Sequence, residues 1–267
     1  SPAIKVLEWL LLSFLTESLP RAASQHGYRP FHSTATPLLP LVTKVATGFN
    51  KDKPADRTVV VSLDISKAFD SVDHDLLLEK IAGTNLNSNV VRWLKSYLRG
   101  RTAVCLFQGT KSAHFKCHSG VPQGSVLSPH LFNYFVHDFP DAAALNLSYA
   151  DNFSLSESSH DLGLLGRKLT DSLKLVAKWA DKNELIIAPE KSHVTLFTPW
   201  NREKNKCPDV YYKGVLIPVN VQPKFLGLNL DSLFNLTPHV GIAGDKGSSR
   251  LQLLKATSGQ DFGDKET

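Results

Sequence analysis

The chain has 267 residues, 42% of them hydrophobic, which is enough to bury a sizeable core and excludes a chain disordered as a whole. Thirty Lys and Arg against 25 Asp and Glu leave a net charge of +5, an excess that suits a phosphate-bearing partner without requiring one. Cys105, Cys117 and Cys207 are odd in number and too widely spaced for a disulfide framework or a paired zinc knuckle, so a reducing, intracellular setting is expected.

The first predicted element is an amphipathic helix over 4–19. Lys5, Glu8 and Glu17 interrupt its apolar run and Pro20 closes it, so it is expected to pack on protein and not in a membrane. No basic segment precedes it and no small-residue cleavage site follows, which argues against secretion; no targeting run separates nucleus from cytoplasm. The chain contains no methionine, so Ser1 is not expected to be a translation start. Residues 20–40, rich in Pro, Ser, Thr and His and carrying Arg21, Arg29 and His32, read as a surface loop.

A β-branched run over 58–63 reads as a buried strand that delivers Asp64 at its end. Helical spacing follows over 76–81 and 90–98, with Gly83 and Gly100 placed to take left-handed caps. Residues 103–107 and 113–118 are expected as the arms of a hairpin around Gly109; His114, Cys117 and His118 lack a second ligand pair and are assigned no metal.

In a second hairpin, Leu147 and Tyr149 alternate into Asp151 and Asn152, and Phe153 and Leu155 alternate out, so the Asp-Asn pair is expected at the turn. Leu162, Leu165, Leu169, Leu173, Val176 and Ala180 mark one face of a long helix, and 194–197 reads as a further strand. Beyond 241 the chain turns Gly-, Ser- and Lys-rich, with Leu251, Leu253 and Leu254 as its only apolar anchors, so the last element is expected to be incomplete. Short strands alternating with helices indicate an α+β domain whose antiparallel sheet is covered on one face.

Asp64 and Asp151, each delivered by a strand end, are the hard oxygen ligands that a two-metal phosphoryl-transfer site requires. Alone, the pair reads equally as a helix cap and a turn residue. Longer segments add to it: SLDISKAFDSV (62–72), GVPQGSVLSPHLFN (120–133), YADN (149–152) and FLGLNLD (225–231). Together these resemble the reverse transcriptases of non-LTR retrotransposons, of the LINE type and jockey/RTE-like. SPAIKVLE (1–8) and QHGYRPFHSTATPL (25–38) resemble the same family's fingers, so the likeness covers nearly the whole chain.

The resemblance implies a right-hand polymerase fold, with 1–57 as the N-terminal part of the fingers, 58–232 as the palm carrying a fingers insertion around 84–119, and 233–267 as the start of a truncated thumb. It implies an RNA-directed DNA polymerase that takes an RNA template, a DNA primer and deoxynucleoside triphosphates, with two Mg2+ ions that Mn2+ can replace. Residue by residue, Asp64 and Asp151 become metal-holding catalytic groups, with the carbonyl of Ile65 beside them. Phe69 lies beneath the incoming sugar and excludes a 2′-hydroxyl by bulk, and Gln123 and Gly124 line the nucleotide pocket. Lys191, in PEKSHVTLF (189–197), serves the pyrophosphate leaving group. Lys224, Phe225, Leu226 and Gly227 resemble the primer-gripping turn, while Arg29 and His32 are read as template-phosphate contacts.

The chain departs from the family pattern at Asn152, where a second aspartate is expected in the catalytic turn. A neutral amide attracts a divalent ion less than a carboxylate does, so metal affinity or turnover should fall. The family's RPISL-like segment is missing before Ser1, and 249–267 resembles only the beginning of a thumb; endonuclease and zinc-knuckle segments are also missing. These gaps suggest a decayed copy. The rival expectation is a catalytically inactive nucleic-acid-binding remnant of the same fold; a group II intron or RNA-virus polymerase palm fits 120–133 less well. No membrane partner is expected, and nothing in the residues sets an oligomeric state.

Overall fold

Strand β1 (Arg57–Asp64) organises the fold, because its residues are apolar on both sides: Val59, Val61 and Leu63 alternate with Val60. The computed structural model describes residues 2–257 and pairs β1 antiparallel with β7 (Asn152–Ser159) on one side and β8 (His193–Phe197) on the other. Strand β6 (Leu145–Tyr149) adds beyond β7, giving the order β6-β7-β1-β8. In this register Ser62 lies between Ser154 and His193, and Asp64 faces Asn152.

One face of the sheet carries Val59, Val61, Leu63, Phe153, Leu155, Val194 and Leu196 into the larger core. That core is closed by α3 (His74–Ala82), α4 (Ser88–Leu98), α5 (Ser128–Phe135) and the long α6 (Leu162–Lys182). The opposite face is covered as well, which corrects the expectation of a single covered face. Val60, Leu147 and Phe197 pack there with Leu41 and Val45 of α2 (Ala35–Phe49), and with Phe225 and Leu230 around the β11 (Lys224–Phe225) and β12 (Leu228–Asn229) hairpin. Each buried valine contributes about 1.5–3 kcal/mol relative to exposure. A strand with valines on both faces is therefore stable only between two apolar layers.

Two N-terminal expectations need correction. Helix α1 (Pro2–Ser18) forms, yet it buries Leu15 while Trp9 and Leu10 stay about two-thirds exposed at 64% and 63%. Apolar residues nearly encircle its first half, and the face turned inward is the one on which buried Glu8 meets hydrogen-bond donors from the 125–126 loop and Tyr97. Residues 35–40, expected as loop, begin α2: Pro37 falls in its first turn, where backbone N–H groups have no intrahelical partner, and Pro40 lies just inside.

Asp73 caps α3 by accepting from the Asp75 and Leu76 amides. Gly83 ends that helix in the right-handed region at φ −74°, so its expected left-handed cap is absent, whereas Gly100 does adopt φ +69°. The expected hairpin around Gly109 is two short ladders, β2 (Thr102–Ala103) with β5 (Phe115–Lys116) and β3 (Leu106–Phe107) with β4 (Thr110–Lys111). A second small hairpin, β9 (Tyr211–Tyr212) with β10 (Val215–Leu216), packs on α6. The last described element is α7 (Thr237–Thr257), on which Leu251, Leu253 and Leu254 are exposed; residues 258–267 of the expected thumb start lie outside the described residues. No described helix is long and apolar enough to cross a membrane.

Candidate active site

Asp64 ends β1 half-buried, with its main chain fixed from the side of β8. Its N–H donates to Ser192 Oγ at 3.1 Å, and its carbonyl accepts from Ala188 N at 2.9 Å. The Ser192 hydroxyl donates in turn to the Ala188 carbonyl. Ile65 bridges Ile187 while the flanking bonds run from Ser66 to Ile186 and from Ala188 to Asp64. In an antiparallel pair of that kind the Ile65 carbonyl points to the other side of the strand, toward the β6–β7 turn.

That turn is a two-residue loop of Ala150 and Asp151, so the expected Asp151–Asn152 turn is shifted by one residue. Phe153 and Leu155 must face the larger core, which makes Asn152 the first residue of β7 and puts it opposite Asp64; a slip of one would reverse every side chain of β7. Asp151 stands half-buried at the tip, and Asn152 Nδ2 donates to its Oδ1 at 3.3 Å. Ala150 adopts φ +56°, a conformation that costs about 1–3 kcal/mol in a residue with a Cβ and persists only where surroundings over-determine it. Here Gln25 does so: its Oε1 accepts from Ala150 N at 2.9 Å and its Nε2 donates to Ala150 O at 3.0 Å.

The donor set is all hard oxygen: two carboxylates, a main-chain carbonyl and the Asn152 amide, which fits a magnesium-type ion. Among the described residues no group of three acidic, histidine or cysteine side chains is placed to hold a metal ion, and the strand position across from Asp64 carries the neutral Asn152.

The loop 120–124 lies along the segment that follows β1. Val121 N donates to Phe69 O, Gly120 N to Val72 O, and Gln123 Nε2 to Asp70 Oδ1 at 3.1 Å. Gly120 is indispensable to this approach, since at φ +86° an added Cβ would sit 2.9 Å from Asp70 backbone atoms. Gln123 is thereby held against the residue that follows Phe69, and Gly124 turns the loop at φ +82°. Phe69 stacks on Phe132 with ring centroids 4.5 Å apart, and Tyr28 meets its edge at 6.3 Å. Burial first, and the Asp151 carboxylate after it, push the Tyr28 hydroxyl above its ordinary pKa, which ties the aromatic group electrostatically to the turn. From the N-terminal helix, Glu8 accepts from Val126 N and from Tyr97 Oη, which also bonds Ser125 Oγ, so the far end of the loop is anchored.

The remaining expected residues are more dispersed. Lys191 is exposed, one residue before Ser192. Leu226 and Gly227, at φ +47° and +94°, form the tip of the β11–β12 hairpin; Phe225 is buried in the smaller core and Lys224 is exposed. This hairpin closes a cavity of about 50 Å³ whose walls include Ser62, Asn152, His193 and Lys224. Arg29 folds back to donate to the Gln25 and Ala22 carbonyls, and His32 Nδ1 meets the Pro30 carbonyl, so both groups brace their own loop. Ser192, Tyr28, Glu8, Gln25 and Gly27 were not singled out from the sequence. All five lie in segments quoted above, but their partners elsewhere in the chain could not be read from them.

Residues 1–230 match the family model described as reverse transcriptase (RNA-dependent DNA polymerase). The chain is 30% identical over 249 residues to the RNA-directed DNA polymerase from mobile element jockey of Drosophila funebris, covering 88% of this chain and 26% of that protein. It is 29% identical over 240 residues to the probable RNA-directed DNA polymerase from transposon BS of Drosophila melanogaster, covering 86% and 26%. The chain thus spans about a quarter of the length of these relatives, and the resemblance to non-LTR retrotransposon polymerases is borne out. Among solved structures, Candida tropicalis telomerase in complex with a TWJ fragment of telomeric RNA superposes with a TM-score of 0.56 at 16% identity, over 86% of this chain and 36% of that one. At that identity the likeness speaks for the fold, the right-hand polymerase arrangement expected from the motifs. By its family match over most of its length, the chain belongs to the reverse transcriptase (RNA-dependent DNA polymerase) family.

Proposed function

We propose that this chain is the fingers and palm of an RNA-directed DNA polymerase, which extends a DNA primer on an RNA template from deoxynucleoside triphosphates. The observation that carries the reading is the meeting of Asp64, at the end of the central strand, with the Asp151–Asn152 edge of the neighbouring hairpin. Asp64, Asp151 and the Ile65 carbonyl would hold Mg2+, two ions in the working site, with Mn2+ as a substitute. Held by these residues, such ions would supply Lewis acidity toward a hydroxyl nucleophile and positive charge toward phosphate.

The protein's own groups position the substrates. Phe69, wedged between Phe132 and Tyr28, walls the sugar and excludes a 2′-hydroxyl. Gln123 and Gly124 line the nucleotide pocket, and exposed Lys191 neutralises or protonates the departing pyrophosphate. The hairpin of Lys224, Phe225, Leu226 and Gly227 supports the primer backbone, and Arg29 and His32 border the template phosphates. The domain assignments follow this reading, with fingers over 1–57 and around 84–119, palm over 58–232 and the start of a thumb from 233. These substrates imply an intracellular place of action.

Asn152 favours a second reading, a nucleic-acid-binding remnant without turnover. Primer extension with Mg2+ and deoxynucleotides on the chain, on Asp64→Ala and on Asn152→Asp separates the two. The enzyme reading expects incorporation that rises in Asn152→Asp and falls about a thousandfold in Asp64→Ala, roughly 4 kcal/mol of transition-state stabilisation. Absence of extension in both the chain and Asn152→Asp, with salt-sensitive primer–template binding retained, replaces it with the remnant.

A further inference from the structure

We infer that Gln25 is a positioning residue for the catalytic turn, setting the direction of the Asp151 carboxylate from a loop remote in sequence. The inference rests on the polymerase reading above and names a part of its machinery that does not touch substrate.

The Gln25 side chain is 2% exposed and every polar atom of its amide is used. Its Oε1 accepts from Ala150 N at 2.9 Å and from Gly27 N at 2.8 Å, while its Nε2 donates to Ala150 O at 3.0 Å. Two N–H groups on one side and a carbonyl on the other leave only one orientation for the amide. The Ala150 carbonyl belongs to the peptide plane that includes the Asp151 nitrogen. Holding it fixes that plane, and with it the direction in which the Asp151 side chain leaves the backbone.

Main-chain pairing alone would dock this loop on the sheet edge, because His26 N bonds Ser148 O and Ser148 N bonds Ser24 O. The side chain goes further, reaching two residues past that pairing to the one strained residue of the turn. Gly27 closes from above, where a Cβ would fall 2.4 Å from Ala150 N. Asn133 of α5, itself 7% exposed, donates to the Gly27 carbonyl at 2.8 Å and ties the arrangement to the larger core. A side chain that only filled space would not need three backbone bonds, two of them to the residue at φ +56°.

The test compares the chain, Gln25→Leu, Gln25→Leu with Ala150→Gly, and Asp64→Ala, by Mn2+ titration read from the electron paramagnetic resonance of free Mn2+. Circular dichroism and primer–template affinity are measured in parallel. Positioning expects Gln25→Leu to keep helix content and nucleic-acid affinity while Mn2+ binding weakens about tenfold, the loss typical of groups that orient a ligand. It also expects Ala150→Gly to restore part of that loss, since glycine takes a positive φ freely. Unchanged Mn2+ affinity in a folded Gln25→Leu overturns the proposal. Should Gln25→Leu not fold, amide exchange in the parent decides: Ala150 and Gly27 amides as protected as the interior of β7 support the clasp, and near-unprotected rates overturn it. Mn2+ binding indifferent to Asp64→Ala instead removes the metal reading, leaving the exchange measurement to judge the clasp by itself.

Discussion

Two tight turns in this molecule solve the same problem in different ways. The β6–β7 turn puts Ala150 at φ +56°, and the β11–β12 turn puts Leu226 at φ +47° followed by Gly227 at φ +94°. The second has the glycine that a two-residue hairpin prefers at its second position, where an added Cβ would meet nothing within 4 Å, and its Leu226 packs against the smaller core. The first has no glycine; instead it is buried, with both backbone groups of Ala150 held by one side chain from another part of the chain. A glycine in the loop eases a turn that only needs to bend. A turn that must aim a carboxylate is held by tertiary bonds.

The strongest challenge to that contrast is Gly27→Ala. Its Cβ would press on backbone, and overpacking of this kind costs roughly 1–3 kcal/mol, so chemical denaturation should show a loss in that range, with primer extension reduced by about a hundredfold or more. Stability and activity both equal to the parent would mean that the loop and turn do not touch so closely. Next in size is Asn152→Asp, expected to tighten Mn2+ binding by about ten- to a hundredfold on titration; no change would mean that the position across from Asp64 contributes no ligand.

Gly227→Ala should matter less and differently. Strain at positive φ costs about 1 kcal/mol, a fall in Tm of about 2–4 °C for a domain of this size, while Mn2+ affinity stays at the parent value. A loss of metal affinity there would erase the distinction between the turns. Smallest of all is Ala150→Gly with Gln25 intact: relief of strain and the added freedom of the unfolded chain oppose each other, leaving stability within about 1 kcal/mol by thermal unfolding.

What could be read from the residues divides along the same line. Strand β1 with its terminal Asp64, helices α3, α4 and α6, and strand β8 were legible because period and β-branching are local signals. The family motifs marked Phe69, Gln123 and Asp151; in the structure Val121 bonds the Phe69 carbonyl and Gln123 bonds Asp70. The turn was misread by one residue because the alternation of Leu147, Tyr149, Phe153 and Leu155 fits either register; the burial of Phe153 decides it. Helix α2 was hidden by its prolines, and the covering of the second sheet face by partners distant in sequence. Gln25, Gly27 and Ser192 act through backbone groups more than a hundred residues away, which no periodicity reports.

Strand β1 is shared by two separate apolar clusters, with Val59, Val61 and Leu63 in one and Val60 in the other. Asp64 therefore ends a strand that is packed on both faces and hydrogen-bonded on both edges. If the site works as proposed, the end of β1 is its fixed point, and the groups around it would have to adjust to it.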